Sequence, residues 1–187
     1  KTRGMVIINT ANFTSKNLKL AEWEQDPLED DTLNEYHVIK IDMNKMVFTA
    51  LDDMGLSSKI MARSTNMFAL GLLYWLYDRD MQSSLDHFKI KFKSKPEIIE
   101  ANTRALKAGF YYGETIEAIK TTYSVPKAKF EAGTYRNIMG NQVLALGLVA
   151  ASQKSGINLF FGGYPITPAS DILHYLSGYK HFGVKTF

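Results

Sequence analysis

The stretch "LFFGGYPITPASDILHYLSG", Leu159 to Gly178, decides how this chain reads as a fold. "INLFF" (157–161) has strand character, "GGYPITP" (162–168) is a corner, "ASDILHYLSG" (169–178) has helical spacing, and "GVKTF" (183–187) opens another strand. Strand, corner, helix, strand is a βαβ unit, and such units bind ligands at the carboxyl ends of their strands. The corner falls at that place. Pro165 and Pro168 hold their φ angles near about −65°, and Tyr164 and Ile166 are pushed toward extended geometry beside them. Thr167 then reads as the N-cap of the helix, with Pro168 at its first position. Unsatisfied N–H groups and the positive end of the helix dipole would converge beside the Thr167 hydroxyl, a place to hold a small carboxylate. Two readings stay open at this level: a plain cap and turn, which physics alone favours, and a substrate contact.

Upstream, "GNQVLALGLVAASQKSG" (140–156) is apolar on nearly every side and predicts a fully buried helix, with Asn141 as N-cap and Gly156 as C-cap. Residues 139–187 supply too little to close a core alone, so the expectation is a unit cut short at Phe187. "AIKTTYSVPKAKFEAGTYRN" (118–137) has no period and reads as an interdomain linker. Before it, "GMVIINT" (Gly4–Thr10) predicts a buried parallel strand and "HVIKIDMN" (37–44) a second strand. "WEQDPLEDDTLNEY" (23–36), with six acidic and no basic residues, predicts a solvated loop. "KMVFTALDDMG" (45–55) predicts a helix stopped at Gly55, and Ser57 to Tyr77 one long helix. "SSLDHFKIKFKSKP" (83–96) predicts a short helix followed by a solvated face carrying Lys89, Lys91, Lys93 and Lys95. Pro96 at a first helical position opens a further helix over 96–115. The first unit begins abruptly at a strand, so a missing start before Lys1 is also expected.

The bulk composition excludes several classes. The 187 residues contain no cysteine, so no disulfide, thiolate metal site or iron–sulfur ligand set arises here. A cysteine-free chain without a signal-like start agrees with a cytoplasmic location. The longest apolar run, "FALGLLYWLY" (Phe68–Tyr77), is too short for a membrane span. Charge is asymmetric: residues 1–117 hold 17 acidic and 15 basic side chains, whereas residues 118–187 hold Glu131 and Asp171 against seven Lys and Arg. No arginine cluster with interleaved aromatics points to nucleic acid. His37, His87, His174 and His181 are scattered without a carboxylate to complete a metal site. Gly162-Gly163 lacks a phosphate-loop pattern around it, and Asp52-Asp53 reads as a solvated pair.

"GNQVLALGLVAA" followed by "LFFGGYPITPASDILHYLS" closely resembles the pyrimidine-binding domain of thiamine-diphosphate-dependent 2-oxoacid:ferredoxin oxidoreductases, in particular the alpha subunit of the 2-oxoglutarate type. "NMFALG" (Asn66–Gly71) and "KPEIIEANTRALKAGFYYGET" (95–115) are similar to the gamma-type domain fused ahead of it. The resemblance implies an α/β chain with a mainly parallel sheet. Residues 1–117 would form the gamma-type domain without its start, 118–138 the linker, and 139–187 the truncated start of the pyrimidine-binding domain. It further implies oxidative decarboxylation of a 2-oxoacid to an acyl-CoA, with electrons passed to ferredoxin. Thr167 would hydrogen-bond the substrate's oxo or carboxylate group, Tyr164 and Ile166 would contact substrate, and Pro165 and Pro168 would line the cofactor. Thiamine diphosphate with Mg2+ would be shared with a beta subunit that carries the diphosphate site and an iron–sulfur cluster, with CoA as co-substrate. The activating glutamate is expected beyond Phe187, which leaves the isolated chain inactive. The alternative is a non-catalytic interaction or assembly module that keeps the fold.

Overall fold

The computed structural model describes residues 4–116 and 119–187. The chain divides into two compact units, Lys1–Lys127 and Ala128–Phe187. Residues 119–139, on either side of that division, carry no helix or strand. The architecture is mixed α/β, with short parallel sheets.

In the first unit, β1 (Met5–Asn9) and β2 (His37–Ile41) pair in parallel, with Met5 opposite His37 and Asn9 opposite Ile41. Their β-branched runs suit a pleated, packed surface. Met5 and Ile7 pack on the core, but β1 is half-buried along its whole length rather than buried as its sequence predicts. Its one sheet partner among the described residues is β2, and Ile8 on its other face lines an apolar pocket with Phe13, Leu18 and Trp23. α1 (Ser15–Leu20) starts at Thr14, whose hydroxyl accepts from the Asn17 N–H at 3.3 Å. The acidic segment 23–36 is mostly exposed, yet Pro27 and Leu28 are buried. The Lys40 ammonium draws that loop in by donating to the Leu28 carbonyl and to Glu29 Oε1.

α2 (Met43–Leu51) is capped by Asp42, whose carboxylate accepts from Lys45 N–H at 2.9 Å, and it buries Met43, Val47 and Leu51 one turn apart. A 3-10 turn over Asp52–Met54 and Gly55 at φ 62° stop it. The single helix expected over 57–77 is two: α3 (Ser58–Arg63) and α4 (Thr65–Leu76). The break is Ser64, buried, at φ −85° and ψ −3°, with its hydroxyl donating to Asn102 Oδ1 at 3.0 Å. That partner lies 38 residues downstream, so no local pattern announces the break.

α5 (Gln82–Lys91) and α6 (Pro96–Thr115) follow, the latter with Pro96 at its first position as its sequence predicts. α4 lies along α6 at very close range. A methyl group at Gly71 would come within 1.9 Å of the Leu106 carbonyl oxygen, and one at Gly109 within 1.9 Å of the Phe68 carbonyl oxygen. Backbone meets backbone at both points, the kind of approach that only glycine permits. Around it sit Phe68, Leu72, Ala101, Ala105 and Leu106, all essentially inaccessible. Each large side chain buried here stabilises by about 1.5–3 kcal/mol.

In the second unit, α7 (Gly140–Ser155) is preceded by Met139 as its cap residue and ends at Gly156 with φ 70°. Asn141 is therefore inside the first turn and not the N-cap. α7 buries Ala145 and Val149 but leaves Val143, Leu144 and Leu146 exposed, so the helix expected to be buried all round is buried on one stripe. The physical reason is supply: a second helix, α8 (Ser170–Ser177), and a two-stranded sheet are what this unit offers to cover it. β3 (Phe160–Phe161) and β4 (Lys185–Thr186) pair in parallel, Phe160 opposite Lys185. Leu176 and Val184 complete a small core with Ala145 and Val149.

Candidate functional site

The corner leaves the carboxyl end of β3 and runs through residues 162–169 to the start of α8. Every side chain from Gly162 to Ala169 is exposed, with Tyr164 at 85% and Ile166 at 64%. The backbone folds back on itself: Ile166 N–H donates to the Tyr164 carbonyl at 2.8 Å, and Ser170 N–H to the Ile166 carbonyl at 3.0 Å. Asp171 N–H donates to the Pro168 carbonyl at 3.1 Å, and Ile172 N–H to that of Ala169 at 3.1 Å. The Thr167–Pro168 peptide is cis.

This geometry corrects the capping assignment. Ala169 is the residue that precedes α8, with no side-chain cap, and Thr167 stands two residues further back. The amides expected to be free at the helix start are already bonded to carbonyls of the corner itself. What remains for a ligand is the Thr167 hydroxyl, which takes no hydrogen bond from the described residues, flanked by the Tyr164 ring, Ile166 and two prolines. Asp171, in the first turn of α8, adds a negative charge near the helix start.

Asn141, read from sequence as a cap, does another job. Its Nδ2 donates to the Pro168 carbonyl at 2.9 Å, which ties the corner to the first turn of α7. The sequence places the Gly-Asn pair at a helix start but contains nothing that pairs it with a residue 27 positions on. Chemically, the corner offers one free hydroxyl, one phenol and apolar surface on a backbone locked by its own hydrogen bonds. Such a surface suits the face of an aromatic ring and one oxo or carboxylate oxygen. Among the described residues no group of three or more His, Cys, Asp or Glu side chains could hold a metal ion.

A second polar arrangement, missed from sequence, sits at the carboxyl ends of β1 and β2. Asn9 Oδ1 accepts from Met43 N–H at 3.1 Å and Ala11 N–H at 3.2 Å, while Asn9 Nδ2 donates to Asn44 Oδ1 at 3.3 Å. Thr65 Oγ1 donates to the same Asn44 oxygen at 3.2 Å. These bonds hold the strand ends against the starts of α2 and α4, beside a cleft of about 650 Å3 lined by Asp42, Lys45, Thr49 and Asp52. The one signal in the sequence is an asparagine within each of the segments 4–10 and 37–44. Among the described residues no helix is long and apolar enough to cross a membrane.

Residues 1–112 match the family described as pyruvate ferredoxin/flavodoxin oxidoreductase. Over 184 residues, 98% of this chain, the sequence is 49% identical to the 2-oxoglutarate oxidoreductase subunit KorA of Mycobacterium tuberculosis (strain ATCC 25618 / H37Rv). The chain spans 28% of that relative's length.

Proposed function

This chain belongs to the pyruvate ferredoxin/flavodoxin oxidoreductase family, and on that premise we propose that it is part of a complex that oxidatively decarboxylates a 2-oxoacid, specifically 2-oxoglutarate. The products are an acyl-CoA and CO2, and two electrons pass to ferredoxin. The observation that carries the choice of substrate is the 49% identity to a 2-oxoglutarate oxidoreductase subunit, which runs across the corner as well as the first unit. In this reading residues 1–117 are a gamma-type domain, 118–138 a linker and 139–187 the start of a pyrimidine-binding domain.

When bound, thiamine diphosphate supplies the carbanion chemistry that decarboxylation requires. The residues of this chain position the reactants. Pro165 and Pro168 present a stiff apolar wall to the cofactor's aromatic ring. Tyr164 and Ile166 exclude water from the substrate's reacting end. The Thr167 hydroxyl donates to the oxo or carboxylate oxygen, a contact that acts through orientation and electrostatic preorganisation. Asn141 keeps the corner in register by holding the Pro168 carbonyl. The Mg2+ and diphosphate, and the iron–sulfur cluster, belong on a beta subunit.

The test is reconstitution of the full-length subunit with its beta partner, followed by CoA-dependent reduction of ferredoxin or methyl viologen. 2-Oxoglutarate should support reduction and release of CO2, and pyruvate should do so much less well. An assembled complex that fails to reduce the acceptor whichever 2-oxoacid is supplied would overturn the reading and leave an assembly role.

A further inference from the structure

The first unit contains a cleft of about 450 Å3 between α4, α5 and α6 that the proposed function leaves unused. Its walls combine two chemistries. Met67, Leu70, Phe88 and Ile98 make an apolar interior. Arg63, Lys91 and Lys95, all exposed, stand around the mouth, and no aspartate or glutamate lines it. None of these three cations has a carboxylate at ion-pair distance among the described residues; the nearby Lys89 is the one that is paired, to Asp86 at 3.1 Å. Lys91 leans over the Phe92 ring, 5.5 Å from its centre.

The base of the cleft holds a built polar group. Asn102 is 7% exposed, and its Oδ1 is occupied by the Ser64 hydroxyl at 3.0 Å. That bond orients the amide, so that its Nδ2 group, which has no acceptor among the described residues, is left for the cleft that Asn102 lines. Among the described residues no buried side-chain nitrogen or oxygen lacks a partner, so this amide group is open to the cleft and to water, whose place a ligand acceptor can take. Three unneutralised cations that line one cleft add their fields there, which favours an anion.

We propose that this cleft is a binding site for an amphipathic organic anion, with a carboxylate or phosphate head at Arg63, Lys91 and Lys95 and an apolar body that carries a hydrogen-bond acceptor to Asn102. A pocket of this size and lining is typical of small-ligand sites, in which apolar walls give affinity and a few polar groups fix orientation. The proposal does not rest on the reading of the corner in the second unit.

The test uses the full-length protein and two probes with one ring system, 1-naphthyl phosphate and uncharged 1-naphthol, titrated by calorimetry. 1-Naphthyl phosphate should bind at one site per chain and more tightly than 1-naphthol. Raising the salt from about 0.05 M to about 0.5 M should weaken the phosphate and not the alcohol. Lys91→Gln with Lys95→Gln should weaken the phosphate about tenfold or more while leaving 1-naphthol unchanged. Both lysines are exposed, so these variants keep the fold, which an unaltered thermal midpoint checks. Leu70→Trp, which fills the interior, should abolish both isotherms. Absence of saturable binding, or binding indifferent to salt and to the lysine variants, overturns the proposal. If the lysine variants leave the 1-naphthyl phosphate isotherm unmoved but weaken assembly with partner subunits, the cleft is a protein-docking surface and the small-anion site is wrong.

Discussion

Replacing Gly109 by alanine adds one methyl group, and the structure specifies where it goes. The new Cβ would lie 1.9 Å from the Phe68 carbonyl oxygen and 2.7 Å from the carbon of the same group. Both atoms are main chain of α4, so no rotamer change can relieve the overlap. α6 must move away from α4 by roughly 1 Å or more to restore ordinary contact, which loosens the packing of Phe68, Leu72, Ala105 and Leu106. Overpacking of this kind costs about 1–3 kcal/mol, occasionally more, and the rigid obstacle argues for the upper end. Against it stands the helix preference of alanine over glycine, about 1 kcal/mol. The net expectation is a loss of about 2 kcal/mol for Gly109→Ala and a similar loss for Gly71→Ala, which meets the Leu106 carbonyl at 1.9 Å. Both tryptophans, Trp23 and Trp75, lie in the first unit, so urea unfolding followed by tryptophan fluorescence reports this unit alone. Gly113→Ala is the internal comparison, because its methyl would strike the Trp75 ring at 2.5 Å rather than a backbone atom. A smaller side chain at Trp75 should therefore rescue Gly113→Ala in part, read by far-UV circular dichroism, and should not rescue Gly109→Ala. An unchanged or raised midpoint for Gly109→Ala and Gly71→Ala would refute the close approach of the two helices.

The remaining predictions concern single bonds. Gly147 on α7 has open space where its methyl would go, so Gly147→Ala should stabilise the second unit by about 0.5–1 kcal/mol, seen as a raised circular-dichroism midpoint. Ser64→Ala leaves Asn102 Oδ1 buried without its 3.0 Å donor and should cost about 1–3 kcal/mol by urea unfolding. The hydrogen bond from Arg104 is the main cause that holds the Asp53 carboxyl below its ordinary range, so the folded state binds that proton less readily than the unfolded one. The stabilisation this gives is present above the usual carboxylate pKa and is lost as the pH falls through the lower folded value; Asp53→Asn should therefore lower stability slightly near neutrality, leave it unchanged in acid, and flatten the stability curve below about pH 4. In the reconstituted complex, Thr167→Ala should raise the KM for the oxoacid or lower turnover with assembly intact, and unchanged values of both would remove that hydroxyl from the site.

The amino-acid sequence by itself determined the features whose causes lie within a few residues. The β-branched runs at 5–9 and 37–41 became parallel strands, Pro96 opened α6, and glycines at 55 and 156 adopted the left-handed geometry that ends their segments. The Tyr-Pro-Ile-Thr-Pro corner was legible as a stiff loop after a strand, since proline constrains its own φ whatever surrounds it. Tertiary structure decided what depends on partners distant in the chain. Ser64 breaks a helix because Asn102 awaits its hydroxyl, and Asn141 leaves the expected cap to hold Pro168. Thr167 loses the capping role because α8 begins two residues later than its pattern suggests, its first amides taken by carbonyls of the corner. Gly71 and Gly109, which in sequence only weaken their helices, are where two backbones touch. Hydrophobic periodicity specifies which face of a helix turns inward, but which atom waits there is set by the topology that brings the second helix to it.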